Sequence, residues 1–262
     1  MNIPRFQNPQ DIPLSCGKSQ IMLDGKNAFA FKEWQFDGKV ICCDAGFNGT
    51  VIANAPGKFI GVGHHEGGSE IFDDLNIAIA AGNELHWKRK TRLENLQISL
   101  DYHSTEMETL SSCRYQAADI QKIALFYVHQ YSWSTEFDRY IFLDGNGSWQ
   151  SGYCQSQGEM IYFGHCRCAA LFAPAYQLAI AFAPDPRLAE IATGKLWDRH
   201  IYHKFYCELD FKGDIPAGEI SPEFIIRQTI LPAAEENFTG TVKAWAETLP
   251  EYWKNLPIVN NH

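Results

Sequence analysis

Basic residues are scarce in this sequence. Its 262 residues include 22 Lys and Arg against 31 Asp and Glu, which gives a formal net charge of −9 with neutral histidines. Phosphate contacts need a basic surface, so this balance argues against a general nucleic-acid-binding protein. Hydrophobic residues make up 45% and charged residues 20% of the chain. These values predict a folded globular core.

Long apolar runs are also missing. The most apolar stretch, residues 169–184, is interrupted by Pro174, Tyr176 and Gln177. It falls short of the roughly 20 apolar residues that a membrane helix needs. The first twenty residues have no apolar segment behind a basic start, which a secretory signal would require. We therefore expect a cytoplasmic protein with no membrane partner.

Metal-binding cysteine patterns are lacking, although the chain has eight cysteines. Without an export signal, these cysteines are expected to be reduced thiols that serve as small hydrophobic residues. The best metal-like cluster is His165-Cys166-Arg167-Cys168, whose two cysteines would share one face of a strand. Zinc sites usually separate paired cysteines by two to four residues and add a second pair. We expect buried thiols, with neither a metal nor a cofactor, and we expect His86 and His165 to be ordinary sheet residues.

Common catalytic templates are absent as well. The sequence has no Gly-x-Ser-x-Gly elbow, no phosphate-binding glycine loop, no dinucleotide fingerprint and no His-Glu-x-x-His. Each of these motifs supports a particular chemistry. Serine-triad hydrolysis, nucleotide chemistry and zinc proteolysis therefore lose support.

Strand signals dominate what is present. Short β-type runs are separated by turn sequences such as Asp37-Gly38, Asn48-Gly49 and Pro56-Gly57. Residues 119–130 are apolar on both faces, which favours a central strand that is covered above and below. Helix signals occur only at residues 185–194 and at about residues 241–249, ahead of Pro250.

These patterns predict an all-β fold. Strands do not alternate with helices, and no linker divides the chain. We predict a single domain over residues 1–262, built as a large antiparallel β-sandwich of the supersandwich type with one or two short helices. Sheets with this many strands curl, and the concave face can hold a ligand.

The sharpest local feature is a glycine-bounded segment, Gly63-His64-His65-Glu66-Gly67-Gly68. The glycines allow tight turns and close approach, and the segment presents two imidazoles together with a carboxylate. General acid–base catalysis uses such groups. Alternatively, the segment is a loop whose histidines hydrogen-bond to neighbouring strands.

Two predicted strands add further candidates. His129 ends the most buried strand near Trp133, an arrangement that suits a sugar-stacking cleft or, alternatively, a core histidine bonded to backbone. Strand alternation over residues 200–210 separates two faces. One face is aromatic and charged, and it either binds a ligand or is simply solvated; it carries Tyr202, Lys204, Tyr206, Glu208 and Asp210. The other face is apolar apart from His203.

The order of these features resembles the galactose mutarotase-like group, β-supersandwich proteins that include aldose 1-epimerases and domains of glycosidases and polysaccharide lyases. His64-His65-Glu66-Gly67-Gly68 is similar to the His-Gly-Gly loop of the epimerases, and His129-Gln130-Tyr131 resembles their second histidine segment. The resemblance implies that His65 or His64 polarises the ring oxygen and that His129 is the general acid. The epimerases place a catalytic glutamate before a Thr-Gln pair, whereas the nearest segment here carries Arg227.

We predict a carbohydrate-active or carbohydrate-binding protein with a small-molecule or oligosaccharide ligand. Catalysis would be proton transfer at a sugar, with His65 and His129 as imidazole groups and Glu66 or Glu208 as the base. The predicted ligand-binding residues are His64, Trp133, Tyr202, Lys204 and Tyr206. Two alternatives stay open. One is polysaccharide β-elimination, in which Lys204 or Arg167 neutralises a carboxylate, and the other is a non-catalytic sugar-recognition module.

Overall fold

Two large antiparallel β-sheets, stacked face to face, form the body of the computed structural model. The structure describes residues 10–27, 29–42, 50–55, 58–62, 71–80, 84–93, 96–118, 121–123, 125–200, 203–209, 213–215, 217–218, 220 and 223–256. Within these ranges lie 21 strands and one α-helix. The elements are β1 (Ile12–Cys16), β2 (Ser19–Asp24), β3 (Ala30–Phe36), β4 (Lys39–Cys42), β5 (Thr50–Ala55), β6 (Lys58–Val62), β7 (Ile71–Ala80), β8 (Glu84–Leu93), β9 (Leu96–Ser104), β10 (Glu108–Ala117), β11 (Gln121–Ile123), β12 (Leu125–Trp133), β13 (Arg139–Leu143), β14 (Trp149–Tyr153), β15 (Glu159–Gly164), β16 (Cys168–Ala173), β17 (Leu178–Pro184), β18 (Ala192–Asp198), β19 (His203–Leu209), β20 (Gly213–Ile215), β21 (Phe224–Pro232) and α1 (Phe238–Asn255).

The strand order defines the two sheets. Among the described residues, the ten-stranded sheet runs β1-β2-β3-β4-β12-β19-β18-β15, and the β5–β6 hairpin joins it at β12. The nine-stranded sheet runs β14-β13-β16-β17-β21-β10-β9-β8-β7, and β11 pairs separately with β20. The predicted all-β sandwich is confirmed, while the single domain over residues 1–262 stays a prediction.

The main core fills the space between the sheets. Alternate residues of each strand point inward, as the period of two requires. On β9, Leu96, Ile98 and Leu100 are buried while the residues between them are half-exposed. Phe182 of the nine-stranded sheet meets Phe205 of the ten-stranded sheet with ring centroids 3.8 Å apart. Aromatic packing of this kind joins the two layers.

A second cluster lies under α1, on the outer face of the nine-stranded sheet. The helix buries Phe238, Val242, Trp245 and Leu249. These side chains pack on small residues of β16 and β17, including Ala170, Ala179, Ala181 and Ala183. Alanines on the strands let the helix approach closely, so the outer face becomes a core in its own right.

Both helix predictions need correction. Residues 185–194 do not form a helix: a short 3-10 turn at Pro186–Leu188 follows the Asp185 cap, and β18 begins at Ala192. The alternating burial of β18 shows a period of two, which overrides the local helix signal. The second helix does not stop before Pro250 but continues to Asn255. Pro250 is exposed, so water can satisfy the carbonyl left without a helical donor.

The described cysteines are mostly buried thiols, as predicted. Six of them are buried and Cys154 is half-buried, while Cys43 lies outside the described residues. Burial raises the pKa of Cys168 to about 12 and that of Cys207 to about 12. The expectation that Cys166 and Cys168 share a strand face is wrong. Cys166 precedes the strand and packs between the sheets, whereas Cys168 packs under α1.

In the described part of the chain, α1 is the one helix with enough residues to be compared with a bilayer span. Its 18 residues include Lys243, Glu247 and Glu251. A membrane helix needs about 20 predominantly apolar residues. No described helix has the length and apolar character to cross a membrane.

Candidate functional site

A charged and aromatic surface lies on the side of β19 that faces away from the main core. Phe205 and Cys207 point into the core between the sheets. Lys204, Tyr206 and Glu208 alternate with them, as predicted for this segment. Lys204 is 1% and Tyr206 8% exposed. The solvated-face alternative is therefore wrong for these two side chains.

The neighbouring strand β18 completes this surface. Antiparallel pairing sets Lys195 opposite Tyr206, and Trp197 opposite Lys204. Lys195 Nζ lies 2.7 Å from Glu208 Oε2 and 5.6 Å from the ring centroid of Tyr206. Lys204 Nζ lies 5.9 Å from the same centroid. We name Lys195, Trp197, Lys204, Tyr206 and Glu208 the β18–β19 face.

Aromatic packing holds the β18–β19 face together. Trp197 and Met160 pack against Tyr206. The indole nitrogen of Trp197 donates a hydrogen bond to the Gly158 carbonyl at 3.2 Å. Arg199 lies over the indole ring, 4.7 Å from its centroid. These contacts fix a flat apolar ring beside the charged groups, an arrangement that suits the mixed apolar and polar surface of a sugar.

The electrostatics of the β18–β19 face set it apart from ordinary packing. The side chains of Lys195 and Glu208 are only 13% and 18% exposed. Removing charged groups from water is costly, and a close ion pair offsets that cost only in part. A largely buried ion pair of this kind contributes little to stability, so packing alone does not explain it, and we take the face as a candidate site.

His129 lies on the strand beside this face. Strand β12 pairs with β19, and its register shifts between Val128, opposite Cys207, and Gln130, opposite Tyr206. The backbone of His129 therefore occupies a β-bulge next to the β18–β19 face. Bulges re-aim side chains and are frequent near functional sites. The structure describes the backbone but not the side chains of His129 and Trp133.

The β5–β6 hairpin pairs with the same strand, β12, through β5. Thr50 of β5 pairs with Val128 on one side and with Val62 of β6 on the other. Because neighbouring strands are about 4.8 Å apart, the backbone of Val62 lies about 10 Å from that of Val128. Val62 precedes His64 by two residues in the sequence. His64, His65, Glu66, Tyr202 and Asp210 lie outside the described residues.

The segment that replaces the glutamate-Thr-Gln motif has a different role from the one the resemblance implies. Arg227 lies on β21 in the nine-stranded sheet, on the side covered by α1. Its Nη2 and Nε lie 2.7 and 2.8 Å from Glu108 Oε2. Tyr252 of α1 donates a hydrogen bond to the other oxygen of Glu108 at 3.2 Å. This group therefore fastens the helix to the sheet.

Two other charged residues, Glu223 and the predicted cation Arg167, lie away from the β18–β19 face. Glu223 pairs with Arg114, with Nη2 and Oε2 3.1 Å apart. Arg167 donates a hydrogen bond to the Gly145 carbonyl at 3.1 Å, in a turn of the nine-stranded sheet. Neither side chain belongs to the β18–β19 face. Of the two predicted bases, Glu208 lies on this face and Glu66 lies outside the described residues.

Lys195 and Trp197 were missed by sequence reasoning. The helix predicted at residues 185–194 overlaps the start of β18, so the strand that carries these two residues was not predicted. The signal was present in the alternation of residues 192–198, where Ala192, Gly194 and Leu196 point inward. Reading this segment with a period of two would have placed Lys195 and Trp197 on one outward face.

Two described clusters have the side chains of metal ligands. The half-buried Cys154 and the buried Asp198 and His203 form one group, which we call the buried group, and Glu84, His86 and His103 form a surface group. In the buried group, Asp198 accepts hydrogen bonds from the backbone amides of Gln155 and Ser156, and its Oδ1 lies 3.0 Å from His203 Nδ1. Burial lowers the pKa of His203, and Asp198 opposes that shift.

The comparisons with known proteins bear on the fold. No family model matches the sequence, and no curated protein does. Among solved structures, the Slr1438 protein of Synechocystis sp. PCC 6803 aligns with a TM-score of 0.58 at 11% identity, covering 88% of this chain and 99% of that one. A galactose mutarotase-like protein from Clostridium acetobutylicum aligns with a TM-score of 0.54 at 8% identity, covering 85% and 95%.

A third alignment is with part of a larger enzyme. Alpha-N-acetylgalactosaminidase NagBb from Bifidobacterium bifidum gives a TM-score of 0.62 at 8% identity, over 92% of this chain and 39% of that one. At such low identities, the likeness concerns the fold alone. The chain has the galactose mutarotase-like fold, and the resemblance found in the sequence is confirmed at that level.

Proposed function

We propose that this protein acts on a carbohydrate by proton transfer at the sugar, with the β18–β19 face as its site. One observation carries the proposal: a largely buried glutamate, Glu208, is held 2.7 Å from Lys195 beside the ring of Tyr206. The strand next to Glu208 carries His129 at a bulge. The fold is shared with a galactose mutarotase-like protein and with a galactosaminidase, which supports a sugar as the ligand.

The proposed chemistry is interconversion of anomers. Glu208 accepts the proton of the anomeric hydroxyl while His129 donates a proton to the ring oxygen, and the bond between the anomeric carbon and that oxygen breaks. Rotation of the open-chain carbonyl and reversal of both transfers close the ring with the other configuration. The Lys195 ammonium group, 2.7 Å from Glu208 Oε2, offsets part of the cost of keeping this carboxylate largely away from water. The partly exposed Trp197, which packs against Tyr206, offers apolar surface to the sugar ring.

The proposal is tested by following pure α-D-glucose and α-D-galactose by NMR in a weakly buffered solution. We expect the protein to accelerate anomer exchange and Glu208→Gln to slow the catalysed rate by about 100-fold or more. Glu159→Gln is the matched control, because Glu159 is an exposed glutamate on β15 of the same sheet. Equal rates for the two variants would contradict the assignment of Glu208.

A second function has one specific observation in its favour. Lys204 is buried beside Tyr206, with 5.9 Å between the ammonium group and the ring centroid. A tyrosine base with a neighbouring lysine is the pair that β-elimination of an acidic polysaccharide would need, the lysine neutralising the carboxylate. Incubation with uronate polymers distinguishes this reaction, because it produces an unsaturated, ultraviolet-absorbing sugar. Binding of a sugar without either reaction would instead indicate a recognition module.

A further inference from the structure

We propose that Glu84, His86 and His103 form a binding site for a divalent transition-metal ion such as Zn²⁺. The three residues lie on the outer face of β8 and β9 in the nine-stranded sheet, the other sheet from the β18–β19 face. His86 and His103 are directly opposite each other in the antiparallel register. Glu84 precedes His86 by two residues and so shares its strand face.

The geometry of the three side chains suits a single ion. The His86 and His103 rings are stacked, with centroids 4.2 Å apart and planes within 8°. Glu84 Oε2 lies 3.3 Å from His103 Nε2 and 3.9 Å from His86 Nε2. Two ligands about 2.1 Å from Zn²⁺ are about 3.4 Å apart at a tetrahedral angle and at most about 4.2 Å apart. Both nitrogen–oxygen distances fall close to this range, and one ligand atom from each of the three side chains lies within 4.8 Å of the others. Because the rings are stacked nearly parallel, they must rotate out of the stack for both Nε2 lone pairs to meet at one ion.

The surroundings favour a bound ion over a simple ion pair. His103 Nε2 is buried and makes no hydrogen bond of good geometry among the described residues, although its ring is 36% exposed. Coordination would satisfy that nitrogen. Two imidazoles and one carboxylate form a His₂Glu set, which leaves at least one position for water or another ligand. The His86 and Glu84 side chains are 41% and 47% exposed and give an ion access from solvent.

The next cross-strand pair on the same face of β8 and β9 is an ion pair, so its two charges balance each other. Lys88 and Asp101 pair there with 2.7 Å between Nζ and Oδ2. Glu84, the carboxylate of the proposed site, would offset part of the charge of a dication at the histidine pair. A cleft of about 320 Å³ begins at the Lys88–Asp101 row and continues along β8, β9 and β10.

Calorimetric titration with ZnCl₂ tests the site. We expect one zinc ion per chain, and affinity losses of at least about 10- to 100-fold in each of His86→Gln, His103→Gln and Glu84→Gln, because loss of even an outer-shell partner has that effect. His165→Gln is the control, since the exposed His165 ring lies against the carbonyls of Ala189 and Ala192 instead. Equal affinity in the His86→Gln/His103→Gln double variant and the wild type would overturn the proposal.

Two further arms locate the ion independently. A His64→Gln/His65→Gln variant tests the other histidine-rich segment, and loss of the zinc signal in that variant would overturn the assignment. Replacement of Zn²⁺ by Co²⁺ reports the ligand types. We expect the spectrum of nitrogen and oxygen ligands, whereas an intense thiolate-to-cobalt band would assign the ion to a cysteine. None of these readouts depends on the reaction proposed for the β18–β19 face.

Discussion

Each of the two sheets has a patch of buried side chains on its outer side. The two patches differ in composition, because one is apolar and the other contains charged groups. Under α1, the strands present alanines, and the helix covers them with Phe238, Val242, Trp245 and Leu249. On the β18–β19 face, the buried groups include two lysines and a glutamate. Apolar burial stabilises the fold directly, whereas burial of charge costs free energy. The comparison teaches that packing explains the first patch but not the buried charge of the second, which we assign to the proposed function.

Tryptophans on the two patches provide the largest expected contrast. Trp245 is 7% exposed under α1, so Trp245→Ala should lower the free energy of unfolding by about 3–5 kcal/mol through cavity formation. Trp197 is only partly buried, so Trp197→Ala should cost less stability but weaken sugar binding. Urea denaturation and sugar titration by NMR measure both effects. A Trp245 variant that kept its stability but lost sugar binding would reverse the comparison.

The Lys195–Glu208 pair gives the next largest effect. Lys195→Met should lower the free energy of unfolding by about 1–3 kcal/mol, because it leaves a mostly buried carboxylate without this ammonium group. Adding Glu208→Gln should restore much of the free energy of unfolding, because it removes the unpaired carboxylate. The double variant should still lack anomer exchange, because Glu208 is the proposed base. Lys254→Met is the control: its pair with Glu251 is exposed, so less than about 1 kcal/mol is expected. Additive losses in the double variant would show that the pair is not coupled.

The sequence could predict the sandwich because apolar and polar residues alternate along its strands. Pairs such as Asp37-Gly38, which favour tight turns, also separate the strands. The β8–β9 hairpin and the facing of Lys204, Tyr206 and Glu208 follow from a period of two. The prediction of a helix at residues 185–194 was wrong because Asp185 and Pro186 start only a single turn. The next segment is a strand because it pairs with β19, which is distant in the sequence. Local signals cannot express such pairing.

The candidate site was predicted less completely for the same reason. Which strands become neighbours depends on the order β12-β19-β18, and no local pattern encodes this order. Lys195 therefore could not be matched with Glu208 in advance. Arg227 shows the converse: a segment chosen by motif lies in the other sheet, bonded to Glu108 beneath α1.

The smallest expected effect concerns His203, a polar group buried on the inner side of β19. His203 is a polar side chain that is only 1% exposed, so burial of a polar group would by itself make it a candidate site residue. Burial lowers its pKa from the ordinary 6.5, while Asp198 and hydrogen bonding to the backbone of Thr135 act in the opposite direction. The folded protein thus favours neutral His203, whereas the unfolded chain takes up the proton first as the pH falls. Its contribution to stability is complete above about pH 6.5 and declines below it.

Unfolding free energies measured between pH 7 and pH 5 test this prediction. The wild type should lose stability toward acid with a His203 contribution of at most about 1.4 kcal/mol per pH unit, the value for one proton. His203→Gln should flatten that slope, and His165→Gln, at an exposed position, should leave it unchanged. Neither substitution should change the catalysed anomer exchange at neutral pH. A His203→Gln variant that kept the acid slope but lost sugar chemistry would place function on the inner side of β19 and remove the distinction between the two patches.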